Sequence, residues 1–248
     1  LEVAAPQARR PLVTGASSGI GLATARALLD NGWCVVCCAR RREAMEEAFA
    51  GDNNALVVPL DVTDDAALAA LPASLPEDWQ ALDLVVANAG SDLSGRAPFL
   101  DGPMESYRNT IAVNVNGVVG LVHALLPAML ERGRGDIVVT GSVAALATYA
   151  GGSIYAASKH AVHAFCDGLR KDIANEPVRM IEVMPGTVET GFAAARRHGD
   201  EDAGRAFYAK YPAILAPEDV AQAILAVLAL PQHINIDSFV INPTSDKG

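Results

Sequence analysis

The stretch TGASSGIG, residues 14–21, decides how this chain is read. It follows the short apolar run PLV and opens a helical pattern, so its three glycines stand at a strand-to-helix junction. Glycines there let backbone amides approach a pyrophosphate, while the N-terminal dipole of the following helix stabilises the negative charge. A turn of this kind also serves simply to pack a helix tightly on a sheet, and the spacing alone does not separate the two uses.

Outward from this turn, short apolar runs alternate with longer amphipathic patterns along nearly the whole sequence. That alternation marks a parallel sheet covered by helices on both faces. Strands are predicted over residues 11–13, 34–38, 55–60, 82–87, 136–140, 179–184 and 238–241, and helices over 20–31, 42–49, 64–71, 104–131, 153–175 and 217–230. Pro11 lacks a ladder donor and is placed at the first residue of its strand. Thr63 and Pro217 read as helix-start signals. Residues 191–211 are polar, alanine-rich and interrupted by Gly199 and Gly204; they read as a mobile helical excursion, or else as surface filler. The expected fold is α/β, one doubly wound domain over residues 1–248 with a seven-stranded parallel sheet.

Apolar residues make up 51% of the chain, enough for a large core, and no proline-rich spacer, low-complexity tract or repeat divides it. A net charge of −10 argues against sequence-independent nucleic-acid binding, which needs clustered Lys and Arg. The opening LEVAAPQARR has neither a long apolar core nor a cleavage pattern, and no run reaches the roughly 18 uninterrupted apolar residues that span a bilayer. A cytoplasmic protein with no membrane partner is expected, with a removed segment ahead of Leu1 left open. Cys34 and Cys37 spell C-x-x-C, but an offset of three along a strand sends the thiols to opposite faces. Cys38 and Cys166 read as small buried hydrophobes.

In a doubly wound sheet, ligands sit beyond the carboxyl ends of the strands. The glycine turn follows the first strand, Arg40 and Arg41 the second, Asp61 the third, Asn88-Ala89-Gly90 the fourth, Ser142 the fifth, and Pro185-Gly186-Thr187 the sixth. All fall on one rim. Tyr155 and Lys159 stand four apart in SIYAASK, hence on one helical face. Ser142 lies thirteen residues before the Tyr, and Asn114 sits within VNVNG on the preceding helix. Taken singly these read as a helical polar pair, a turn serine and a buried Asn bracing backbone.

Together, in order and spacing, they make the chain resemble the short-chain dehydrogenase/reductase family over essentially its full length. The resemblance implies a single Rossmann-type domain and hydride transfer between a nicotinamide cofactor and an alcohol or carbonyl, usually in a homodimer or homotetramer. It implies a cofactor site at Gly15, Ser17, Ser18, Gly19, Ile20, Gly21, Asp61, Val62, Asn88, Ala89, Gly90, Tyr155, Lys159, Pro185, Gly186, Val188 and Thr190. Ala87 stands where the family more often has Asn. The long helices over 104–131 and 153–175 form the paired interface in that family.

The chemistry explains the residue types. Reducing a ketone needs a proton donor, and a Tyr phenol with an ordinary pKa of about 10 is a poor base for the reverse step at neutral pH. A nearby Lys159 ammonium is expected to lower the Tyr155 phenol, and by resemblance Lys159 also holds the nicotinamide ribose. Ser142 is expected to donate to the substrate oxygen as charge develops. By resemblance, Asn114 holds a water joining Lys159 to solvent. After the second strand, NAD enzymes tend to carry an acid, whereas a 2′-phosphate needs Arg. Here Arg40 and Arg41 follow without an acid, which favours NADP(H) over NAD(H); Arg42 reads as the start of the next helix.

No metal site is expected: His160 and His163 share a helix without a third ligand, and His123, His198 and His233 read as packed or solvated. The tail from Ala216 and the Ala39-Arg40-Arg41 run resemble the branch acting on 3-hydroxy acids, including serine. A substrate pocket is expected from residues 143–149, 187–192 and the following excursion, with Arg196 or Arg197 pairing a substrate carboxylate unless Glu201 and Asp202 neutralise them. A polyol dehydrogenase is the alternative, and a catalytically silent dinucleotide sensor a remoter one.

Overall fold

The structure, a computed structural model, describes residues 9–93, 96–197 and 199–244. His198 and the first eight residues of the leader reading lie outside the described residues. The strands are β1 (Pro11–Thr14), β2 (Val35–Ala39), β3 (Ala55–Pro59), β4 (Leu84–Ala87), β5 (Gly135–Thr140), β6 (Val178–Pro185) and β7 (Ser238–Ile241). The helices are α1 (Gly19–Asp30), α2 (Arg42–Ala48), α3 (Asp65–Ser74), α4 (Met104–Ile111), α5 (Gly117–Arg132), α6 (Ser153–Asp172), α7 (Phe192–Ala195), α8 (Glu201–Tyr208) and α9 (Pro217–Leu228).

The strands form one parallel sheet in the order β3-β2-β1-β4-β5-β6-β7, the expected doubly wound, Rossmann-type arrangement. Strand order reverses between β1 and β4, so the ligand crevice opens at their carboxyl ends. Alternation along each strand feeds two cores. Leu84 and Val86 of β4 face the layer of α1, α2 and α9, where Leu28, Met45 and Ile224 are buried. Val85 and Ala87 face the layer of α3, α5 and α6, with Leu68, Leu121 and Val162. Ala87, the departure from the family pattern, is therefore a core residue. Cys37 and Cys38 likewise point to opposite layers, and burial pushes the Cys37 thiol up to about 12.

Two local expectations change. The start of α3 is capped by Asp64, whose side chain accepts from Ala67 N at 2.9 Å. Thr63 instead donates its hydroxyl to Asp61 at 2.8 Å. The single helix expected over 104–131 is interrupted by a π-helical stretch, Ala112–Asn116, which widens the turn at Asn114. The whole run Met104–Arg132 is long and apolar enough by length and composition to cross a bilayer, but its Leu121, Val122, Leu125 and Met129 are used in the core.

At the amino end of the sheet, a buried ion network ties the strands together. Arg179 of β6 grips Asp136 of β5 with Nε at 2.6 Å and Nη2 at 2.9 Å. Its Nη1 donates to Leu230 O at 3.1 Å, beyond α9. Arg9 also pairs with Asp136. Burial alone would raise the Asp136 carboxyl, but the hydrogen bonds and charges of Arg179 and Arg9 hold it below the usual range. Removing one partner of a buried pair leaves the other uncompensated, at about 3–5 kcal/mol. Asp136→Asn is expected to lower stability by about that much at pH 7, measured by urea unfolding. The contribution of Asp136 is complete above its unfolded pKa of about 3.9 and is lost as pH falls through the lower folded value. The gap between wild type and variant therefore narrows towards pH 3; equal midpoints at pH 7 refute the account.

Candidate active site

The glycine turn meets α1 with its backbone wound tightly. Gly15 (φ +70°) and Gly19 (φ +55°) adopt left-handed conformations, which side chains resist. A Cβ on Gly21 would stand 2.3 Å from Gly15 O, and one on Gly15 2.9 Å from Asn88 Nδ2. Bare backbone at the amino end of a twelve-residue helix fits an anionic phosphate. Arg41 adds a cation, its Nη2 lying 3.1 Å from the hydroxyls of both Ser17 and Ser18. Arg40 is exposed, and its charge acts on Asp61. Hydrogen bonds from Thr63, and more weakly that charge, hold the Asp61 carboxyl below the usual range. Ile20 follows in the first turn of α1, and Val62 packs beneath Gly117 of α5.

Asn88 joins the turn to the rest of the rim. Its Nδ2 donates to Thr14 O at 3.1 Å, and its Oδ1 accepts from Thr140 Oγ1 at 3.2 Å. The backbone N–H groups of Asn88 and Ala89 both donate to Thr14 Oγ1. Gly90 leads into Ser91, whose N–H donates to Asn114 Oδ1 at 2.7 Å. The two amide N–H groups of Asn114 go to Ser91 O and Ser158 Oγ, at 2.9 and 3.0 Å. The Asn114 side chain is thus a brace between the rim and α6.

Ser142, Tyr155 and Lys159 come together. The Ser142 side chain acts on the Tyr155 phenol, working against its rise, and caps the following turn by accepting from Ala144 N at 3.1 Å. Lys159 Nζ donates to Thr140 O at 2.8 Å and lies 5.8 Å from the Tyr155 ring centre. Burial pushes the phenol up to about 12, opposed first by the charge of Arg196 and then by Ser142. The cation acting on the phenol is Arg196, a correction to the expectation for Lys159. Desolvation in the covered site outweighs either charge. Burial also brings Lys159 down to about 8, with the Glu182 carboxylate acting the other way.

A lid covers this group. From Pro185 and Gly186, whose N–H donates to Ile241 O at 2.9 Å, the chain passes Val188, bridged to Leu215, and reaches Thr190. Thr190 faces Gly19 of the turn, and its backbone is clasped by the Tyr208 hydroxyl of α8. Phe192 of α7 lies 5.7 Å from the Tyr155 ring. The expected helical excursion forms α7 and α8, and α7 is seated on the site rather than serving as surface filler. Arg196 turns inward, whereas Arg197 lies over the Phe207 ring and donates to Ala193 O. Asp202 pairs with Arg205 rather than with either.

Two acids that no motif marks also join the site. Asp92 lies two residues beyond Gly90, on the same rim, and pairs with Arg196 at 2.7 Å. Glu182 sits fully buried within β6, its Oε2 2.6 Å from His163 Nδ1. An acid inside an apolar strand was the available signal for Glu182.

This geometry, a dinucleotide-type turn facing a Ser–Tyr–Lys group across the rim of one doubly wound sheet, defines a nicotinamide-type oxidoreductase. A family model for short chain dehydrogenases matches residues 10–201, and the chain belongs to that family. It is 37% identical over 239 residues to the NADP-dependent 3-hydroxy acid dehydrogenase YdfG of Salmonella typhi, covering 95% of each. It is 36% identical over 237 residues to the serine 3-dehydrogenase of Rhizobium radiobacter, covering 95% of this chain and 94% of that protein. Among solved structures, the closed form of serine dehydrogenase complexed with NADP+ superposes with a TM-score of 0.93, at 35% identity and 96% coverage of both chains.

Proposed function

We propose that this chain is an NADP(H)-dependent dehydrogenase of small 3-hydroxy acids, acting as one catalytic domain over residues 1–248. The observation that carries the reading is the convergence of Ser142, Tyr155 and Lys159 on one rim with the glycine turn and Arg41. The full-length similarity to NADP-dependent 3-hydroxy acid and serine dehydrogenases supports the substrate class and the cofactor. Polyols are the weaker reading, because the relatives that match over nearly the full chain are named for 3-hydroxy acids and serine.

The bare turn at Gly15, Gly19 and Gly21 would receive the pyrophosphate, and Arg41 with Ser17 and Ser18 the 2′-phosphate. Arg40, Asp61 and Val62 would flank the adenosine end. Asn88, Ala89, Gly90, Pro185, Gly186, Val188 and Thr190 would line the path to Tyr155. When bound, the cofactor supplies the nicotinamide that exchanges hydride with the carbinol carbon. Ser142 donates to the substrate oxygen, and Tyr155 Oη gives or takes the proton there. Lys159, anchored on Thr140 O, keeps a cation behind the phenol, and Asn114 holds α6 in register with the rim. With its phenol raised by burial, Tyr155 carries its proton at neutral pH, and the share of phenolate that can act as base grows as pH rises.

Tyr155→Phe is expected to leave cofactor binding intact and to reduce kcat at least about a hundredfold. Oxidation by the wild type should climb from neutral to alkaline pH. Near-normal turnover by the variant overturns the assignment. Charge-assisted phosphate contacts are worth about 1.5–3 kcal/mol, so wild-type kcat/KM should favour NADP+ over NAD+ by roughly ten- to hundredfold. Arg41→Ala should remove most of that preference and Arg40→Ala less. Equal use of the two cofactors by the wild type argues against it.

The same reading includes a cytoplasmic homodimer or homotetramer built on α4–α5 and α6. Val119, exposed on α5, belongs to the face such a partner would cover. Light scattering is expected to give at least twice the 25.8 kDa chain mass; a lone chain at micromolar concentration counts against the assembly.

A further inference from the structure

Arg196 is more than a lid residue. It is only 5% exposed, and its guanidinium carbon lies 5.3 Å from the Tyr155 ring centre and 5.0 Å from that of Phe192. Its Nη2 meets Asp92 Oδ2 at 2.7 Å and the Tyr149 hydroxyl at 3.4 Å. Its Nε is buried and has no hydrogen-bond partner among the described residues. A buried guanidinium N–H without an acceptor is costly, and this one stands beside the catalytic phenol.

The Nε and Nη2 donors form one edge of the planar fork, the edge that receives a carboxylate through two parallel hydrogen bonds. The ion pair with Asp92 uses Nη2, and Nε is unmatched among the described residues. In a small 3-hydroxy acid a single carbon separates the carbinol carbon from the carboxylate carbon. The cation that reads such a carboxylate must therefore sit beside the phenol. Arg196 does; Arg197, stacked on Phe207, does not. A second guanidinium, Arg96, stacks 4.3 Å from the Tyr149 ring and 5.0 Å from Phe207.

We propose that Arg196 is the residue that reads the substrate carboxylate, and that Asp92 is a resident carboxylate which holds the same guanidinium edge until substrate takes it. With the site empty, Asp92 draws Arg196 and α7 onto the rim. An incoming acid presents acceptors to Nε and Nη2 together, whereas Asp92 meets Nη2, and it takes over the edge. A neutral alcohol of the same size gains nothing from the exchange. The assignment rests on the 3-hydroxy-acid reading and deepens it.

The test compares 3-hydroxypropionate with 1,3-propanediol as substrates, and measures propionate as an inhibitor of diol oxidation, in the wild type and in Arg196→Ala, Arg197→Ala and Asp92→Asn. Arg196→Ala should raise KM for 3-hydroxypropionate and Ki for propionate at least about tenfold, the scale of a lost charge-assisted contact. Because the guanidinium also acts on the Tyr155 phenol, kcat is expected to fall alike for acid and diol; the specific reading is the ratio of acid KM to diol KM, which should rise at least about tenfold. Arg197→Ala should leave all three constants near wild type. Asp92→Asn removes the competing charge and should lower both acid constants by about threefold or more. Equal effects of Arg196→Ala on the KM of acid and diol, or weaker acid binding in Asp92→Asn, overturn the proposal. If the wild type oxidises the diol but not the acid while propionate inhibition still depends on Arg196, the anion site stands and the 3-hydroxy-acid reading falls.

Discussion

The site depends on one polar stitch across the carboxyl ends of β1, β4 and β5. Asn88 bonds to Thr14 on one side and to Thr140 on the other, and Thr140 O in turn holds Lys159 Nζ. Parallel strands end with unpaired backbone groups, and at the switch point no helix covers them. Satisfying them with a single amide ties the glycine turn, the rim and α6 to one another. Cofactor cradle and proton-handling group are thus held by the same hydrogen bonds, and neither can shift independently.

Burial then sets the chemistry. With α7 and α8 seated on the rim, Tyr155 and Lys159 are both pushed towards their neutral forms, the phenol up to about 12 and the ammonium down to about 8. Desolvation penalises the charged form of each. What opposes it is local and specific: Arg196 over the phenol, Glu182 behind the lysine. The lid is therefore an electrostatic component as well as a cover. Opening it would rehydrate the pair and remove the guanidinium that favours phenolate.

The other end of the sheet has a different task. Asp136, Arg179 and Arg9 lie at the end of the sheet away from the crevice, and their network fastens β5 and β6 to the segment after α9. A doubly wound fold separates stability and function in this way because its crevice opens only at the carboxyl ends of the strands.

The strand and helix order, the glycine turn and the Ser142–Tyr155–Lys159 spacing were legible in the sequence because each is a local pattern. Period-two and period-3.6 hydrophobicity reflects burial, a glycine at positive φ reflects a turn, and an offset of four places two side chains on one helical face. The inward turn of Arg196, its pairing with Asp92 and the influence of Glu182 on Lys159 were not legible. The partners lie 104 residues apart in the first case and 23 in the second, and no periodicity links them. Nor does sequence show whether an arginine on a polar, alanine-rich segment meets water or a phenol. Only packing the lid on the rim decides that, because the strength of a charge depends on how much solvent is removed around it.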